Sequence, residues 1–335
     1  CATPLSGRNL VLCIDGTANK FGEMNSNVVE LYSRLEKSPK KQITYYDSGI
    51  GTYVKNSHGI RSWFSYDAWK ESILHGIDTA IAWNFKAKVL AAYQWLSENY
   101  ENGDRIFLFG FSRGAYQVRV IAGMLELVGL LHKGNNGQIP FAYDLYRHSL
   151  SSERSGSGGP ALSGAKAAKL CKNFKKSLSR ENVRVHFVGA WDTVSSIGIL
   201  RGRSLPEMTN GMTHVCAFRH ALALDELRVK FLPEYANGGL GPDKLTTHVK
   251  EVWFVGSHSD MYSGNAENME NTRFTPSLRW MIYEALAWGL RVKEPESGGA
   301  PFAPSPSMVG FWRVLEFIPI ILPRLSYASK DGVEH

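Results

Sequence analysis

Arg105-Ile106-Phe107-Leu108-Phe109-Gly110-Phe111-Ser112-Arg113-Gly114-Ala115 is the stretch that decides the fold. An apolar run ends in the pattern G-x-S-x-G, and a segment with helical patterning, Ala115 through Leu131, follows at once. Strand, sharp turn and helix with a serine at the apex form a nucleophile elbow, in which the serine sits in a strained backbone conformation. Gly110 and Gly114 fit because a Cβ at either place would crowd the strand-to-helix crossing. The turn lifts the Ser112 hydroxyl above the sheet. It also leaves the Arg113 backbone N–H at a helix start, where it can face a developing oxyanion.

Working outward, apolar strand-like runs recur with helical stretches between them. Asn9 to Ile14 reads as a strand ending in Asp15-Gly16-Thr17, and Val28 to Leu35 as a helix. Ile43 to Tyr46 reads as a second strand. Residues 70 to 100 carry Ile77, Ile81, Phe85, Val89, Tyr93 and Leu96 at spacings of three or four, a helical period. Ser151 to Ser163 is a Ser/Gly-rich loop and residues 165 to 179 a helix. Val183 to Ala190 is a strand that leads into Trp191-Asp192-Thr193. His214 to Leu227 patterns as a helix, Val249 to Val255 as a strand ending in Gly256-Ser257-His258-Ser259-Asp260, and residues 275 to 290 as a helix. Such alternation predicts an α/β fold, a mostly parallel sheet with helices on both faces. No clean linker divides the chain. It reads as one domain over residues 1–335, with insertions near 53–100 and 200–248.

The composition is that of a folded globular chain: 335 residues, 44% hydrophobic, 21% charged. The formal net charge of +7 favours anionic partners, a membrane surface among them. The densest basic cluster, Lys172 to Lys176, fits the solvated face of a helix, which argues against nucleic acid. Four scattered cysteines, Cys1, Cys13, Cys171 and Cys216, contain no C-x-x-C pair and predict neither a zinc site nor a disulfide framework. No apolar run reaches the roughly 18–20 residues of a transmembrane helix. The expectation is a soluble chain, with the cytoplasm favoured.

Four strand ends carry reactive side chains: Asp15, Ser112, Asp192 and His258. In an open parallel sheet those ends share one edge, where ligands bind. The order Ser112, Asp192, His258 is nucleophile, acid, histidine, the chain order of α/β-hydrolases. A serine hydroxyl needs a base within reach, and the base needs a carboxylate to fix its tautomer. Of ten histidines, His258 alone follows an apolar strand in loop-forming sequence. His75, His132, His148, His214 and His220 fall in helical patterns and His186 inside a strand. Asp260, two residues from His258, is the rival acid; Asp225, within a helical pattern, is a weaker one. Asp15-Gly16-Thr17 could belong to a D-x-D-G-T phosphatase motif, but Cys13 stands where the first aspartate must bind Mg²⁺, a hard ion poorly served by sulfur. The loop is better used to supply a second oxyanion N–H, from Gly16 or Thr17, beside that of Arg113.

Five stretches, Leu-Cys-Ile-Asp-Gly-Thr-Ala-Asn (12–19), Tyr-Tyr-Asp-Ser-Gly-Ile-Gly-Thr (45–52), Gly-Asp-Arg-Ile-Phe-Leu-Phe-Gly-Phe-Ser-Arg-Gly-Ala-Tyr (103–116), Trp-Asp-Thr-Val (191–194) and Val-Trp-Phe-Val-Gly-Ser-His-Ser-Asp (252–260), resemble the α/β-hydrolase domain shared with bacterial type VI secretion phospholipase effectors. The spacing looks fungal. The resemblance covers roughly residues 8 to 320 and implies an α/β-hydrolase fold, a triad of Ser112, Asp192 and His258, and phospholipid-ester substrates. The expected function is a serine esterase or lipase acting through an acyl-enzyme, with no cofactor. The aromatic stretch 53–69 could form a lid or an acyl-chain surface. Two alternatives remain at this stage: a catalytically silent binding or scaffold protein on the same fold, and an acyltransferase.

Overall fold

The computed structural model describes residues 7–16, 25–48, 84–150, 164–194, 212, 214–228, 233–236, 248–262 and 275–293. The stretch 53–69, Thr17, the Ser151–Ser163 loop and most of 200–248 lie outside these. The described residues form strands β1 (Asn9–Ile14), β2 (Gln42–Asp47), β3 (Arg105–Phe111), β4 (Val185–Trp191), β5 (Ala217–Ala223) and β6 (Val249–Phe254). The helices are α1 (Asn27–Arg34), α2 (84–99), α3 (Arg113–Leu127), α4 (Ile139–Leu150), α5 (Gly164–Leu178), α6 (His258–Tyr262) and α7 (Pro276–Ala287).

The six strands make one sheet in the order β2-β1-β3-β4-β5-β6. Every neighbouring pair is parallel. Burial follows from the period-2 alternation of side chains. Leu10, Leu12 and Ile14 of β1 join Ile106 and Leu108 of β3 in a core with α2, α3 and α4. Val11 and Cys13, with Phe107, Phe109 and Phe111, face the opposite way and pack with Phe187 and Trp191 against α1 and α7. Both faces are thus covered by helices, and the central strands are buried along their whole length. Parallel pairing puts all the carboxyl ends on one edge: Ile14 pairs with Gly110, Phe111 with Trp191, and Ala223 with Phe254.

One expected element is corrected. His214 to Leu227 is not a helix: Ala217–Ala223 is the fifth strand, fully buried between β4 and β6. Its alanines and leucine suit a helix, but its polar residues find partners across the sheet. Arg219 Nε donates to Glu284 Oε2 of α7 at 2.5 Å, and Arg219 also donates to the carbonyl of His248. His220 accordingly stands in a strand, His214 in a turn before it, and Asp225 in the turn after it. His132 likewise follows a helix rather than lying in one. The helix after the elbow stops at Leu127, not Leu131, because Gly129 takes φ +78° and turns the chain away.

Candidate active site

The elbow is built by close backbone approach. Ser112 has φ 56° and ψ −121°, a conformation that non-glycine residues rarely adopt and that stores about 1–3 kcal/mol. What holds it there is packing on both sides. A Cβ on Gly110 would lie 2.5 Å from the Gly114 carbonyl oxygen, and one on Gly114 would collide with the carbonyl oxygens of Ile14 and Asp15. The first turn of α3 therefore rests directly on the end of β1. The Ser112 N–H donates to Trp191 O at 2.9 Å, which ties the elbow to β4. A serine preceding a helix ordinarily caps it with its hydroxyl. Ser112 makes no such bond; its Oγ lies 2.9 Å from His258 Nε2.

The other two groups arrive from neighbouring strand ends. Asp192 follows β4 with φ 42°. Its N–H donates to Ala221 O, and its Oδ1 accepts the Ala223 N–H at 3.1 Å, so β5 fixes the carboxylate from both sides. That leaves Oδ2 for His258 Nδ1, at 2.5 Å. Since a carboxylate can only accept, Nδ1 carries the hydrogen and Nε2 is the free lone pair facing the Ser112 hydroxyl. The imidazole also stacks on Phe111, ring centroids 4.8 Å apart. Ser112, Asp192 and His258 are all buried.

His258 opens the short α6, and three carboxylates hold the chain that leads into it. Gly256 N–H donates to Asp225 Oδ2 (2.6 Å), Ser257 N–H to Asp260 Oδ2 (2.8 Å) and His258 N–H to Glu226 Oε2 (3.0 Å). Burial pushes the Glu226 carboxyl up, but Arg228, through side chain and backbone, and the His258 N–H together hold it below the ordinary value. Asp260, the rival acid, also accepts the Ser257 hydroxyl at 3.1 Å. The structure thus brings Ser112, Asp192 and His258 together and turns Asp260 onto its own loop. Glu226 and Arg228 escaped the sequence reading, and Asp225 entered it only as a weaker rival acid, because His214 to Leu227 patterns as a helix.

The expected oxyanion donors fare unequally. Arg113 occupies the first position of α3, where a backbone N–H has no partner within the helix. The Gly16 N–H donates to Asp15 Oδ1 at 2.7 Å. Asp15 is itself buried and also accepts Ser26 Oγ (2.5 Å) and Tyr46 OH (3.2 Å). Thr17 lies outside the described residues. Among the described residues no His/Cys/Asp/Glu cluster could hold a metal ion, and no helix is long and apolar enough to cross a membrane.

A six-stranded parallel sheet with helices on both faces and a serine at the elbow of a central strand defines an α/β-hydrolase fold. Within that class the chain belongs to the family of T6SS phospholipase effector Tle1-like catalytic domains, whose model matches residues 8–284. It is 37% identical over 232 residues to the uncharacterised protein YEL023C of Saccharomyces cerevisiae; the match covers 68% of this chain and 32% of that protein. Two solved structures are similar. A protein from Pseudomonas aeruginosa is 17% identical at a TM-score of 0.43, covering 86% of this chain and 46% of that one. The Tle1 effector bound to the VgrG spike of the type 6 secretion system is 19% identical at a TM-score of 0.38, covering 81% and 54%. The chain therefore spans about a third of the yeast relative's length and about half of each solved chain.

Proposed function

We propose that this protein is a serine hydrolase that cleaves carboxylic esters of lipids, phospholipids foremost, through an acyl-enzyme. The observation that carries this reading is the unbroken chain from Ser112 Oγ through the His258 ring to Asp192, at 2.9 and 2.5 Å. It favours a working hydrolase over a silent scaffold of the same fold. Ser112 Oγ attacks the ester carbonyl carbon while His258 Nε2 takes its proton. Asp192 holds the ring and stabilises the imidazolium. The Arg113 N–H donates to the oxyanion. Thr17 is the candidate second donor, and Gly16 can serve once its N–H leaves Asp15 for the substrate. The tetrahedral adduct collapses, the ester C–O bond breaks, and the imidazolium gives its proton to the departing alcohol. Water then repeats the sequence on the acyl-enzyme, with His258 as base, and releases the fatty acid. Asp225, Glu226 and Asp260 serve to place His258.

Two observations favour phospholipid over neutral ester. The family is one of phospholipase effectors. The Arg113 side chain, next in sequence to the nucleophile, is partly buried and makes no hydrogen bond or ion pair among the described residues, and burial lowers its pKa. A desolvated, uncompensated guanidinium is costly, and a substrate phosphate would compensate it. The test is hydrolysis of phospholipids and of neutral esters with matched acyl chains. The purified protein should release fatty acid from phospholipid, Ser112→Ala should abolish it, and Arg113→Met should lower the phospholipid-to-neutral ratio of kcat/KM about tenfold, the loss of a charge-assisted hydrogen bond. Release that survives Ser112→Ala would remove the serine mechanism; an unchanged ratio would remove the phosphate from Arg113.

A further inference from the structure

Behind the proposed acid lies a second histidine–carboxylate pair that the chemistry does not use. His220 of β5 and Glu251 of β6 are cross-strand neighbours. His220 Nδ1 lies 2.9 Å from Glu251 Oε1, and its Nε2 lies 3.1 Å from the backbone nitrogen of Thr193, the residue after Asp192. A backbone N–H can only donate, so Nε2 must be unprotonated. A neutral imidazole then carries its hydrogen on Nδ1, where Glu251 accepts it. Every group in this chain of hydrogen bonds has its role fixed by its neighbour. Glu251 Oε1 also takes the Ala236 N–H at 2.9 Å.

Thr193 is held from its other side too. Its carbonyl accepts the Glu234 N–H at 2.8 Å, and the carbonyls of Glu234 and Tyr235 accept from the buried guanidinium of Arg119 on α3. His220 and Thr193 are both fully buried, so no solvent replaces a lost partner here. The turn they hold is the one in which Asp192 takes φ 42°, a strained geometry that persists only when its surroundings impose it.

We infer that His220 is a positioning residue: as a neutral Nδ1–H imidazole oriented by Glu251, it accepts the Thr193 N–H and so holds the Asp192 carboxylate on His258. The charged groups around it are Glu251, Arg119 and Asp192. Burial drives its pKa down against the pull of Glu251, with Arg119 lowering it further and Asp192 opposing, and the ring stays neutral. The inference deepens the serine-hydrolase reading and rests on it.

Two substitutions separate positioning from mere filling. His220→Leu fills the space but leaves the Thr193 N–H without its acceptor and takes from Glu251 the imidazole N–H, so that of its two donors here only the Ala236 N–H still meets that carboxylate. His220→Gln can present its Oε1 to the Thr193 N–H. The readouts are kcat and KM for ester hydrolysis, together with the low-field proton resonance of the short His258–Asp192 hydrogen bond. His220→Leu should lower kcat about 10²-fold, the usual loss for a reacting group misplaced by about 1 Å, with little change in KM, and should shift or abolish the low-field resonance. His220→Gln should recover most of kcat and keep the resonance near its place. If both variants lose kcat equally, or the resonance is unmoved in His220→Leu, the inference is overturned. Should His220→Leu fail to fold, ¹⁵N correlation of the wild-type imidazoles decides: the inference requires the Nδ1–H tautomer, and an Nε2–H or doubly protonated His220 at neutral pH contradicts it. A wild-type protein without ester hydrolysis would defeat the proposed reaction alone, because both resonance measurements need no substrate.

Discussion

Replacing Asp192 by asparagine is the sharpest perturbation the site offers, because its outcome follows from two hydrogen bonds. Oδ1 of Asp192 accepts the Ala223 N–H, and Oδ2 meets His258 Nδ1. An asparagine has one acceptor and one donor group. The Ala223 N–H, buried in the β5 end, demands the oxygen, so the amide NH₂ must face the histidine. That places a donor against Nδ1 and drives the ring hydrogen to Nε2, the atom that should receive the Ser112 proton. Wrong-tautomer variants of serine hydrolases lose about 10⁴ in kcat, about 5 kcal/mol of barrier. In Asp260→Asn the amide oxygen can still take the Ser257 N–H and hydroxyl, so the loss should stay within about tenfold, one neutral hydrogen bond for a charged one. The assay is kcat for a soluble chromogenic ester, with thermal melts to show that both variants fold. Equal losses, or a larger loss in Asp260→Asn, would refute the assignment of Asp192 as the acid.

Two further outcomes follow from the same contacts. Gly114→Ala should destabilise by about 1–3 kcal/mol or more, as overpacking does, because the new methyl meets backbone carbonyls of β1 that cannot rotate away; a melting temperature within a degree of wild type would show that the elbow can shift. Glu226 has a folded-state pKa below its unfolded value, so its contribution to stability is fully present above the unfolded value and fades as pH falls through the folded one. Glu226→Gln should therefore melt below wild type at neutral pH, and the gap should begin to narrow near the unfolded carboxyl value of about 4 and be gone below the folded one; a gap that is constant with pH would mean the charge is immaterial.

The parts of the fold that were legible in the sequence are those set by local pattern. Strands β1, β2, β3, β4 and β6, and helices α1, α5 and α7, follow from apolar runs and from periodicity, and the elbow from glycines at two places where no Cβ fits. The strand β5 was not legible. Ala217, Ala221, Leu222 and Ala223 prefer a helix, and Arg219 and His220 look exposed until Glu284 and Glu251, 65 and 31 residues away, satisfy them. Helix α4 entered the reading only through His148, although Gly134-Asn135-Asn136-Gly137 and Pro140 punctuate the chain where Ile139–Leu150 begins. At the site, order along the chain pointed to Ser112, Asp192 and His258, three side chains that the fold brings within hydrogen-bond reach. The part Asp225 and Glu226 play in holding the His258 loop was hidden by the missed strand, since they reach that loop only because β5 ends beside β6.

The measurement that bears most directly on the account is active-site labelling. A fluorophosphonate reacts quickly only with a serine that has a base at its hydroxyl and donors for the developing oxyanion. The account predicts a single adduct, mapped by peptide mass spectrometry to Ser112, absent in Ser112→Ala and strongly slowed in His258→Ala. An adduct on another serine, or none in the folded wild-type protein, would contradict it.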